Sequence, residues 1–475
     1  MLLPEIAIVT TVAILALLEI FYPDFSRRHT TFLNLAGALL VGGMLVLLLK
    51  TSGTAFQGMF VLDPFAVFFK FLFLASAVYV FLLTRPSPLG KRTAEFNLLL
   101  WSALLGMFFL VSSNHFLLFF ISLELLTLSL YILAAYTERD RLSIEAGLKY
   151  LVLGSLASAF FLYGMSLIYA ASGTLSFKTI GLLLQTDEKI PWLFLVGTLL
   201  VLSALGFKVA AVPFHVWVPD VYQGAPTPVV AFLSVASKSA GFAALLRLLF
   251  ETFAPLDEER RILFSLFAAM TLLYGNLGAL VQKNMKRLLG FSSIGHAGFL
   301  LIALAAREAV GGEALLYYLM AYGVTNLAAF LVVFLVEIET APRAGVSPTS
   351  IESFQGLSGR SPFLAAGMFL AFLSLAGVPP LAGFFAKFLI LLAAAKSELF
   401  WIVFLGAVNV AISLYYYLNV IRILYFEKPK LATPISLSLP SVLLLGTLMV
   451  GIVGIGIWQA PFLRIASLAA ASLRS

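Results

Sequence analysis

Cysteine is absent from the 475 residues of this chain. Its absence excludes disulfides, thiolate-ligated zinc, iron–sulfur clusters and c-type haem attachment within the chain. Histidine is scarce, with four residues, so the facing histidine pairs of a membrane haem are not expected. We find no glycine-rich phosphate loop followed by a lysine and no dinucleotide-binding fingerprint. The chain itself is therefore predicted to hold no cofactor and no metal.

Charged residues are few, at 11% of the chain, against about 25% in an average soluble protein. Apolar residues make up 61%, and the mean hydropathy is +1.04. A soluble protein of this length could not cover its surface with so few charges. The net charge is +7, but the basic residues are scattered over short loops, so a nucleic-acid partner is not expected. The composition predicts a polytopic membrane protein.

Fourteen apolar stretches are long enough to cross a lipid bilayer as helices, which takes about 20 residues each. Loops after odd-numbered stretches carry more Lys and Arg than the others, which favours both termini outside the cytoplasm. We expect an all-α, multi-pass protein of the cell's inner (plasma) membrane. The predicted spans lie near residues 3–22, 31–50, 61–84, 94–112, 114–136, 145–171, 191–213, 226–250, 261–282, 287–306, 313–337, 361–395, 399–425 and 437–460.

Spans seven and twelve contain helix breakers. The seventh carries Pro213 and continues to Pro219, and the twelfth contains the run Gly377–Gly383 with two adjacent prolines. Proline kinks are common in membrane helices and need not carry a function. Paired broken helices in two halves of a transporter, however, indicate an inverted repeat and its ion site. A lysine beside each break favours this second interpretation.

The positions of the two breaks predict a repeat of helices 4–8 against helices 9–13. The chain would then have four parts: residues 1–93 with helices 1–3, residues 94–252 with the first repeat, residues 253–427 with the second repeat, and residues 428–475 with helix 14 and a tail. Helices 7 and 12 would be the discontinuous helices of the two repeats.

Four charged residues lie too deep in their spans to reach water at either end. They are Glu124 in span five, Lys208 in span seven, Lys238 in span eight and Lys387 in span twelve. Charges at this depth are costly and usually functional. One carboxylate can neutralise one lysine, so at least one other lysine must lie in a hydrated cavity or lose its proton. Such a lysine could exchange protons near neutrality.

Other titratable residues leave alternatives open. Lys149 can snorkel to the membrane surface or serve in an internal relay. His296 can be a relay group or a hydrogen-bonded packing residue, and His215 can be a relay group or an interface anchor. Lys70 has only phenylalanines beside it in the sequence and stays undecided. Two arginines near span ends are interpreted as snorkelling: Arg247 and Arg422.

Long motifs around these residues resemble the subunit N family of bacterial proton-pumping NADH:quinone oxidoreductases, respiratory complex I, and the wider antiporter-like subunits. The resemblance covers roughly residues 95–425 and implies fourteen helices, ten of which form two inverted five-helix repeats. It also implies a glutamate on helix five and lysines on helices seven, eight and twelve, which match Glu124, Lys208, Lys238 and Lys387. The motifs are Lys149–Ser158, Gly206–Pro228, Phe232–Ser239, Gln282–Gly298 and Ser374–Lys387.

The resemblance implies a subunit of an H⁺-translocating NADH:quinone reductase, which couples electron transfer from NADH to quinone in partner subunits to proton pumping. Its partners would be the other membrane and peripheral subunits of complex I, which would carry the flavin, iron–sulfur clusters and quinone. Protons would pass from the cytoplasmic side toward Lys208 and Lys238 and then to Lys387, with Glu124 modulating Lys208. His296 and Lys149 are further candidates for the relay.

Two other functions remain open from the sequence. The chain could belong to a multi-subunit cation/proton antiporter or to a membrane-bound hydrogenase, since the wider family includes both. It could also be a structural membrane scaffold whose lysines are inert.

Overall fold

A computed structural model of the chain describes residues 1–83, 93–186, 191–253, 256–340, 347–429 and 434–474. These residues are almost entirely helical, with one pair of short strands. They include 13 helices long and apolar enough to cross a membrane. The predicted twelfth span is divided into two shorter helices. Together with the 13 long helices it accounts for the fourteen predicted spans. The prediction of an all-α polytopic membrane protein is confirmed.

The chain forms two compact units, of which the first comprises Met1–Ala210, Gly224–Glu258 and Leu468–Ser475. Within it, the antiparallel strands β1 (Gly53–Ala55) and β2 (Phe60–Leu62) form a hairpin. The helices of this unit are α1 (Leu3–Phe21), α2 (Pro23–Leu47), α3 (Pro64–Leu83), α4 (Thr93–Val111), α5 (Phe116–Ala134), α6 (Arg141–Ser172), α7 (Phe177–Thr186), α8 (Trp192–Val209), α10 (Thr227–Phe232) and α11 (Lys238–Glu251), and a π-helical turn (Leu233–Ser237) joins the last two.

The second unit comprises Ala211–Gln223 and Glu259–Ser467. Its long helix α14 packs against both halves of the divided twelfth span and against α19. The helices of this unit are α9 (Trp217–Gly224), α12 (Asp257–Leu280), α13 (Met285–Ala305), α14 (Glu308–Thr340), α15 (Leu357–Arg360), α16 (Pro362–Ala376), α17 (Ala382–Lys396), α18 (Phe400–Phe426), α19 (Leu439–Ile457) and α20 (Gln459–Ala471).

Several helix boundaries follow from short-range capping signals. Asp140 and Asn284 accept hydrogen bonds from backbone N–H groups in the first turns of α6 and α13. Proline in the first turn starts α2 at Pro23, eight residues before the predicted span at 31–50. The hairpin and the short helices α7, α15 and α20 were not predicted, because segments this short carry no membrane-length apolar signal.

The predicted division into parts at 93/94, 252/253 and 427/428 and the inverted relation of the two repeats stay predictions. Residues 84–92 and 430–433, near two of these boundaries, lie outside the described residues. They include Lys91, Arg92 and Lys430, which contribute to the charge bias of the loops. The orientation of the termini therefore also stays a prediction, which side-specific labelling of an introduced cysteine would test.

Arg247 is buried in the first unit, so the interpretation that it snorkels to the membrane surface is wrong. Its side chain is 1% exposed and donates to both carboxylate oxygens of Asp63, at 3.0 and 2.9 Å. It also donates to Glu251 at 2.7 Å and to the carbonyl of Val111 at 2.9 Å. The guanidinium thereby ties α11 to α4 and to the start of α3. Arg422 is 62% exposed beside Glu427, as its predicted snorkelling requires.

A second buried ion pair joins Lys70 of α3 to Glu5 of α1. The two side chains are 0% and 2% exposed, and the amine lies 2.6 Å from the carboxylate. The amine also lies 5.0 Å from the ring centroid of Phe60. The polar partner of Lys70 thus comes from a helix distant in the sequence, and the pair links α1 to α3.

We predict that Arg247→Met strongly destabilises the protein, because it leaves the Asp63 and Glu251 carboxylates buried without their cation. Breaking a buried ion pair by removing one partner costs about 3–5 kcal/mol. The measurement is the yield of the folded chain and its thermal unfolding midpoint in detergent. The matched control is Arg422→Met, whose exposed pair is worth at most about 1 kcal/mol. Equal effects of the two substitutions would contradict the assignment.

Candidate functional site

The predicted break in the twelfth span lies between α16 and α17. Gly377 ends α16 in the left-handed conformation with φ of 91°, and its N–H and that of Val378 donate to the carbonyl of Leu373. This ending is typical of glycine after a helix. The backbone resumes a helical course at Ala382, after a cis peptide bond between Pro379 and Pro380. The prediction of a non-helical stretch here is confirmed.

Gly383 allows the two half-helices to approach each other closely. A Cβ atom at this position would lie 1.8 Å from the carbonyl oxygen of Ser374, which no side chain can tolerate. The N–H of Gly383 donates to the Ser374 hydroxyl at 3.0 Å, and that hydroxyl contacts Thr325 of α14 at 3.1 Å. The break is therefore a packed and hydrogen-bonded structure.

Lys387 occupies this break. Its side chain is 4% exposed, and its amine donates to the carbonyl of Ala376 at 3.0 Å and to the hydroxyl of Ser413 at 3.3 Å. The amine also lies 5.1 Å from the ring centroid of Phe299. Among the residues the structure describes, the partners of this amine are these two oxygens and the Phe299 ring, and none of them is a carboxylate. The amine thus has acceptors for its protons and no anion that would hold it permanently charged.

The break in the seventh span begins after Val209, where α8 ends. Ala210 adopts the left-handed conformation with φ of 64°, and the chain continues without helix through the cis peptide bond Val212–Pro213 until Trp217. A left-handed residue other than glycine costs about 1–3 kcal/mol and is held in place by its surroundings. The prediction of a discontinuous seventh helix is confirmed.

Lys208 lies in the last turn of α8, 3% exposed. A helix C-terminus carries partial negative charge and favours a cation there. Within the described residues, its amine makes no hydrogen bond. A Cβ atom at Gly241 of α11 would lie 3.2 Å from Lys208, so this glycine admits the lysine stem between the helices. Helix α11 therefore packs directly on Lys208.

Glu124 of α5 is half-buried and accepts a hydrogen bond from the Ser158 hydroxyl of α6. It is close enough to Lys208 for the two charges to attract each other. They do not form a direct ion pair in this structure, since the Lys208 amine has no partner among the described residues. The modulation of Lys208 by Glu124 stays a prediction.

Lys238 is 3% exposed and begins α11 directly after the π-helical turn Leu233–Ser237. A single π-helical turn within a longer helix is frequent at functional sites. Gly241 is the third residue after Lys238, so one turn of α11 presents both residues. Lys208 and Lys238 therefore lie on helices in direct contact within the first unit.

His296 lies in the second unit on α13, 6% exposed, between two tyrosine hydroxyls. Its Nδ1 is 2.5 Å from the Tyr318 hydroxyl, and its Nε2 is 3.2 Å from the Tyr417 hydroxyl. The Tyr417 hydroxyl also hydrogen-bonds to Ser292, one turn earlier on α13. His296 is therefore a hydrogen-bonded packing residue, as one alternative required. The other alternative, a relay group, is compatible with this packing, because the tyrosine hydroxyls beside it can themselves exchange protons.

The two remaining candidates, Lys149 and His215, have other surroundings. Lys149 is 42% exposed on α6 and pairs with Glu145 at 2.6 Å, one turn away. His215 is buried in the second unit, with its ring 4.1 Å from that of Tyr274, and neither of its nitrogens has a hydrogen-bond partner among the described residues. The contacts of Lys149 fit a surface amine more simply than an internal relay.

Sequence reasoning missed the hydroxyl groups that surround the candidate lysines and histidine. Ser158, Tyr318, Ser413 and Tyr417 have ordinary apolar-span surroundings in the sequence. A signal was present only for Ser413 and Tyr417, which lie four residues apart near the middle of span thirteen and so share one helix face.

No cluster of three or more His, Asp or Glu residues that could hold a metal occurs in the part of the chain that the structure describes.

The family described as NADH:quinone oxidoreductase/Mrp antiporter, TM, matches residues 113–413. The chain belongs to this family. NADH-quinone oxidoreductase subunit N of Desulforamulus reducens is 36% identical over 458 residues, covering 96% of this chain and 94% of the relative. Subunit N of Moorella thermoacetica is 40% identical, covering 87% of this chain and 85% of the relative.

A solved structure supports the same assignment. A chain of respiratory complex I from Thermus thermophilus with bound aureothin superposes with a TM-score of 0.83 and 33% identity, covering 98% of this chain and 99% of that one. The family membership inferred from the motifs, with its likeness to subunit N, is therefore confirmed. The Desulforamulus and Moorella relatives are both subunit N proteins, which favours this branch of the family.

We predict that Gly383→Ala separates the half-helices α16 and α17 and displaces Lys387, because the added methyl group would overlap the Ser374 carbonyl. The expected result is a loss of stability of about 1–3 kcal/mol, the usual cost of overpacking. Thermal unfolding in detergent measures it. Gly359→Ala is the control, because a Cβ atom there meets nothing within 4 Å. A Gly383→Ala protein as stable as the Gly359→Ala protein would refute the packing argument.

Proposed function

We propose that this chain is a proton-translocating membrane subunit of an NADH:quinone oxidoreductase. The observation that carries the proposal is the set of buried lysines at two helix breaks in a chain of the family that includes subunit N. Lys208 lies at the end of α8, and Lys387 of α17 donates to the last carbonyl of α16, each lysine being almost completely buried. Charged groups at such depth line ion and proton pathways.

The lysines suit proton exchange because their surroundings do not fix their charge. Lys387 has a carbonyl and a hydroxyl as acceptors, and Lys208 has no direct partner among the described residues. Burial penalises the charged amine, whereas the carbonyl ends of the broken helices favour it. The role of Glu124 is to bias this balance at Lys208 through its charge. Passage of protons from the Lys208–Lys238 group to Lys387 stays a prediction.

The energy for pumping must come from outside this chain. Moving one proton against 100 mV costs about 2.3 kcal/mol. The chain lacks the cysteines that iron–sulfur clusters require, and we infer that flavin, iron–sulfur and quinone chemistry belongs to its partner subunits. We also infer that both termini lie outside the cytoplasm, from the distribution of loop charges. A place in the plasma membrane is inferred from the likeness to bacterial subunit N.

A cation/proton antiporter subunit is the second candidate, since the matched family also includes Mrp antiporters. The identity of 36% to a subunit N over 96% of this chain favours the oxidoreductase. The composition of the purified complex separates the two functions. Co-purification of flavin and iron in stoichiometric amounts is expected, and their absence would favour the antiporter.

We predict that Lys387→Met and Lys387→Arg both depress proton pumping in vesicles that contain the assembled complex. Methionine removes the amine, and arginine keeps the charge but does not release its proton in a protein. Loss of a group that transfers protons typically lowers a rate by about 10²–10⁴-fold. Pumping is measured as the initial rate of vesicle acidification after NADH addition, normalised to the amount of complex.

The control for this experiment is Lys396→Met, an exposed lysine at the other end of the same helix. It should pump normally. Near-normal pumping by Lys387→Arg with loss by Lys387→Met would show that Lys387 only keeps a cavity hydrated. Normal pumping by both variants would remove Lys387 from the mechanism.

We predict that Glu124→Gln impairs pumping while leaving the complex assembled. The amide keeps the size of the side chain and a hydrogen bond to Ser158 but removes the charge that attracts Lys208. A loss of roughly tenfold corresponds to about 1.4 kcal/mol of charge interaction. The same acidification assay measures it, with Glu427→Gln, a half-buried glutamate beside Arg422, as control. Equal pumping by the two variants would exclude the modulating role.

A further inference from the structure

Ser158 of α6 uses its hydroxyl differently from many other serines in the helices of this chain. A serine within a helix commonly donates to the backbone carbonyl four residues earlier. Serines that do so in the described helices are Ser76, Ser102, Ser122, Ser129, Ser172 and Ser203. Ser158 donates instead to Oε1 of Glu124 on α5. A hydroxyl has one proton to donate, so the proton of Ser158 is committed to the carboxylate.

Two glycines of α6 bring this serine within reach of Glu124. A Cβ atom at Gly147 or Gly154 would overlap atoms of α5, which at Gly154 include the Tyr131 hydroxyl. Ser158 lies one turn beyond Gly154 and therefore on the same face of α6. The close approach of the two helices allows a side chain as short as serine to reach Glu124. The hydrogen bond thus follows from the packing of α6 on α5.

Helix α6 also packs against α8, the helix that carries Lys208. Tyr150 of α6 stacks on Phe207, directly before Lys208, with the ring centroids 6.1 Å apart. The Glu124 carboxylate is close enough to attract the Lys208 amine, but that amine makes no hydrogen bond within the described part of the chain. The carboxylate is therefore within electrostatic reach of Lys208 while it is hydrogen-bonded to α6.

We propose that Ser158 is a positioning residue that holds the Glu124 carboxylate on α6 and so limits its direct pairing with Lys208. The proposal rests on the proposed proton-translocating function, in which Glu124 biases the charge of Lys208. A hydrogen bond from a hydroxyl to an ionised carboxylate is among the strong ones in proteins. Moving the carboxylate onto the amine would forfeit this bond. Ser158 therefore stabilises the separated arrangement, which leaves Lys208 freer to release its proton.

Other titratable groups on the helices packed around Glu124 and Lys208 stay the same in the serine variants of the test. Glu145 and Lys149 of α6 pair with each other at 2.6 Å. The others are Glu95 of α4, Tyr131 of α5, Tyr150 of α6 and Lys238 of α11. Since a substitution at Ser158 changes no charge, a changed pH dependence of pumping would reflect the placement of the Glu124 charge.

The test measures the pH dependence of vesicle acidification by the assembled complex in Ser158→Ala and Ser158→Thr. Alanine removes the hydroxyl that binds Glu124, whereas threonine keeps it. The matched control is Ser166→Ala, on the same helix, because the Ser166 hydroxyl donates to the carbonyl of Tyr163 in the preceding turn. The control therefore loses a hydrogen bond within α6 and leaves the contact with α5 intact.

Ser158→Ala is expected to shift the pH profile of pumping toward higher pH. Without the serine hydroxyl, the carboxylate can pair with the Lys208 amine, and an anion in contact favours the charged amine. A shift of about one pH unit, which is tenfold in proton affinity, is of the size that one charge-assisted hydrogen bond can produce. Ser158→Thr should restore the original profile, and Ser166→Ala should not change it.

A second measurement places Ser158→Ala in the Glu124→Gln background. A residue that acts through the charge of Glu124 should cause no further shift there. An unchanged profile in Ser158→Ala, or an equal shift with and without the Glu124 charge, would overturn the proposal. If Ser158→Ala does not assemble, Ser158→Cys takes its place, because a thiol is a weak donor. It should shift the profile in the same direction, and an unshifted profile would likewise overturn the proposal.

Glu124→Gln alone separates the two levels of the argument. Normal pumping by this variant, with a normal pH profile, would refute the modulating role that the proposed function gives to Glu124, and the positioning role with it. Impaired pumping by Glu124→Gln beside a normal profile of Ser158→Ala would refute the positioning role of Ser158 and leave the proposed function intact.

Discussion

A buried amine needs hydrogen-bond acceptors, and within a continuous membrane helix the backbone carbonyls are already engaged. The break between α16 and α17 removes this conflict, because the last carbonyls of a helix have no donor from a following turn. Ala376 is such a residue, and its carbonyl accepts from Lys387 at 3.0 Å. The geometry of the break in turn depends on Gly377 in the left-handed conformation and on Gly383 against Ser374. The acceptor of the buried Lys387 amine is therefore provided by the backbone conformation of the break and not by a charged group.

Four buried cations among the described residues differ in the partners of their charged groups. Arg247 and Lys70 have carboxylates at 2.6–2.9 Å, which hold their charge and join helices to one another. Lys387 and Lys208 lack such a partner among the described residues. A cation with a carboxylate in contact contributes to structure, because separating the two is costly. A lysine with neutral acceptors has no anion in contact that favours its charged form, which is the property that the proposed proton exchange requires.

The hydroxyl groups of the second unit combine packing with chemistry. Tyr416 of α18 donates to Asn276 of α12, and Asn276 donates to Asn409 of α18. On the next position of α18, Tyr417 contacts His296 and Ser292 of α13. Satisfied buried polar networks select one arrangement of helices, because a misplaced helix would leave several groups without partners. The hydrogen bonds that hold α12, α13 and α18 together therefore also align the hydroxyls along one side of α18.

The sequence alone determined the class of the protein, its membrane spans, both helix breaks and the buried lysines. Length and apolarity decide whether a segment crosses a membrane, and proline with glycine interrupts a helix wherever it folds. Partners in space could not be determined in this way. The ion pair of Lys70 with Glu5, the burial of Arg247 and the placement of His296 between Tyr318 and Tyr417 join residues that are remote in the sequence. Only the packing of helices decides such contacts. A helix that is apolar on every side has no distinct hydrophobic face, so its sequence does not indicate which neighbour each side contacts.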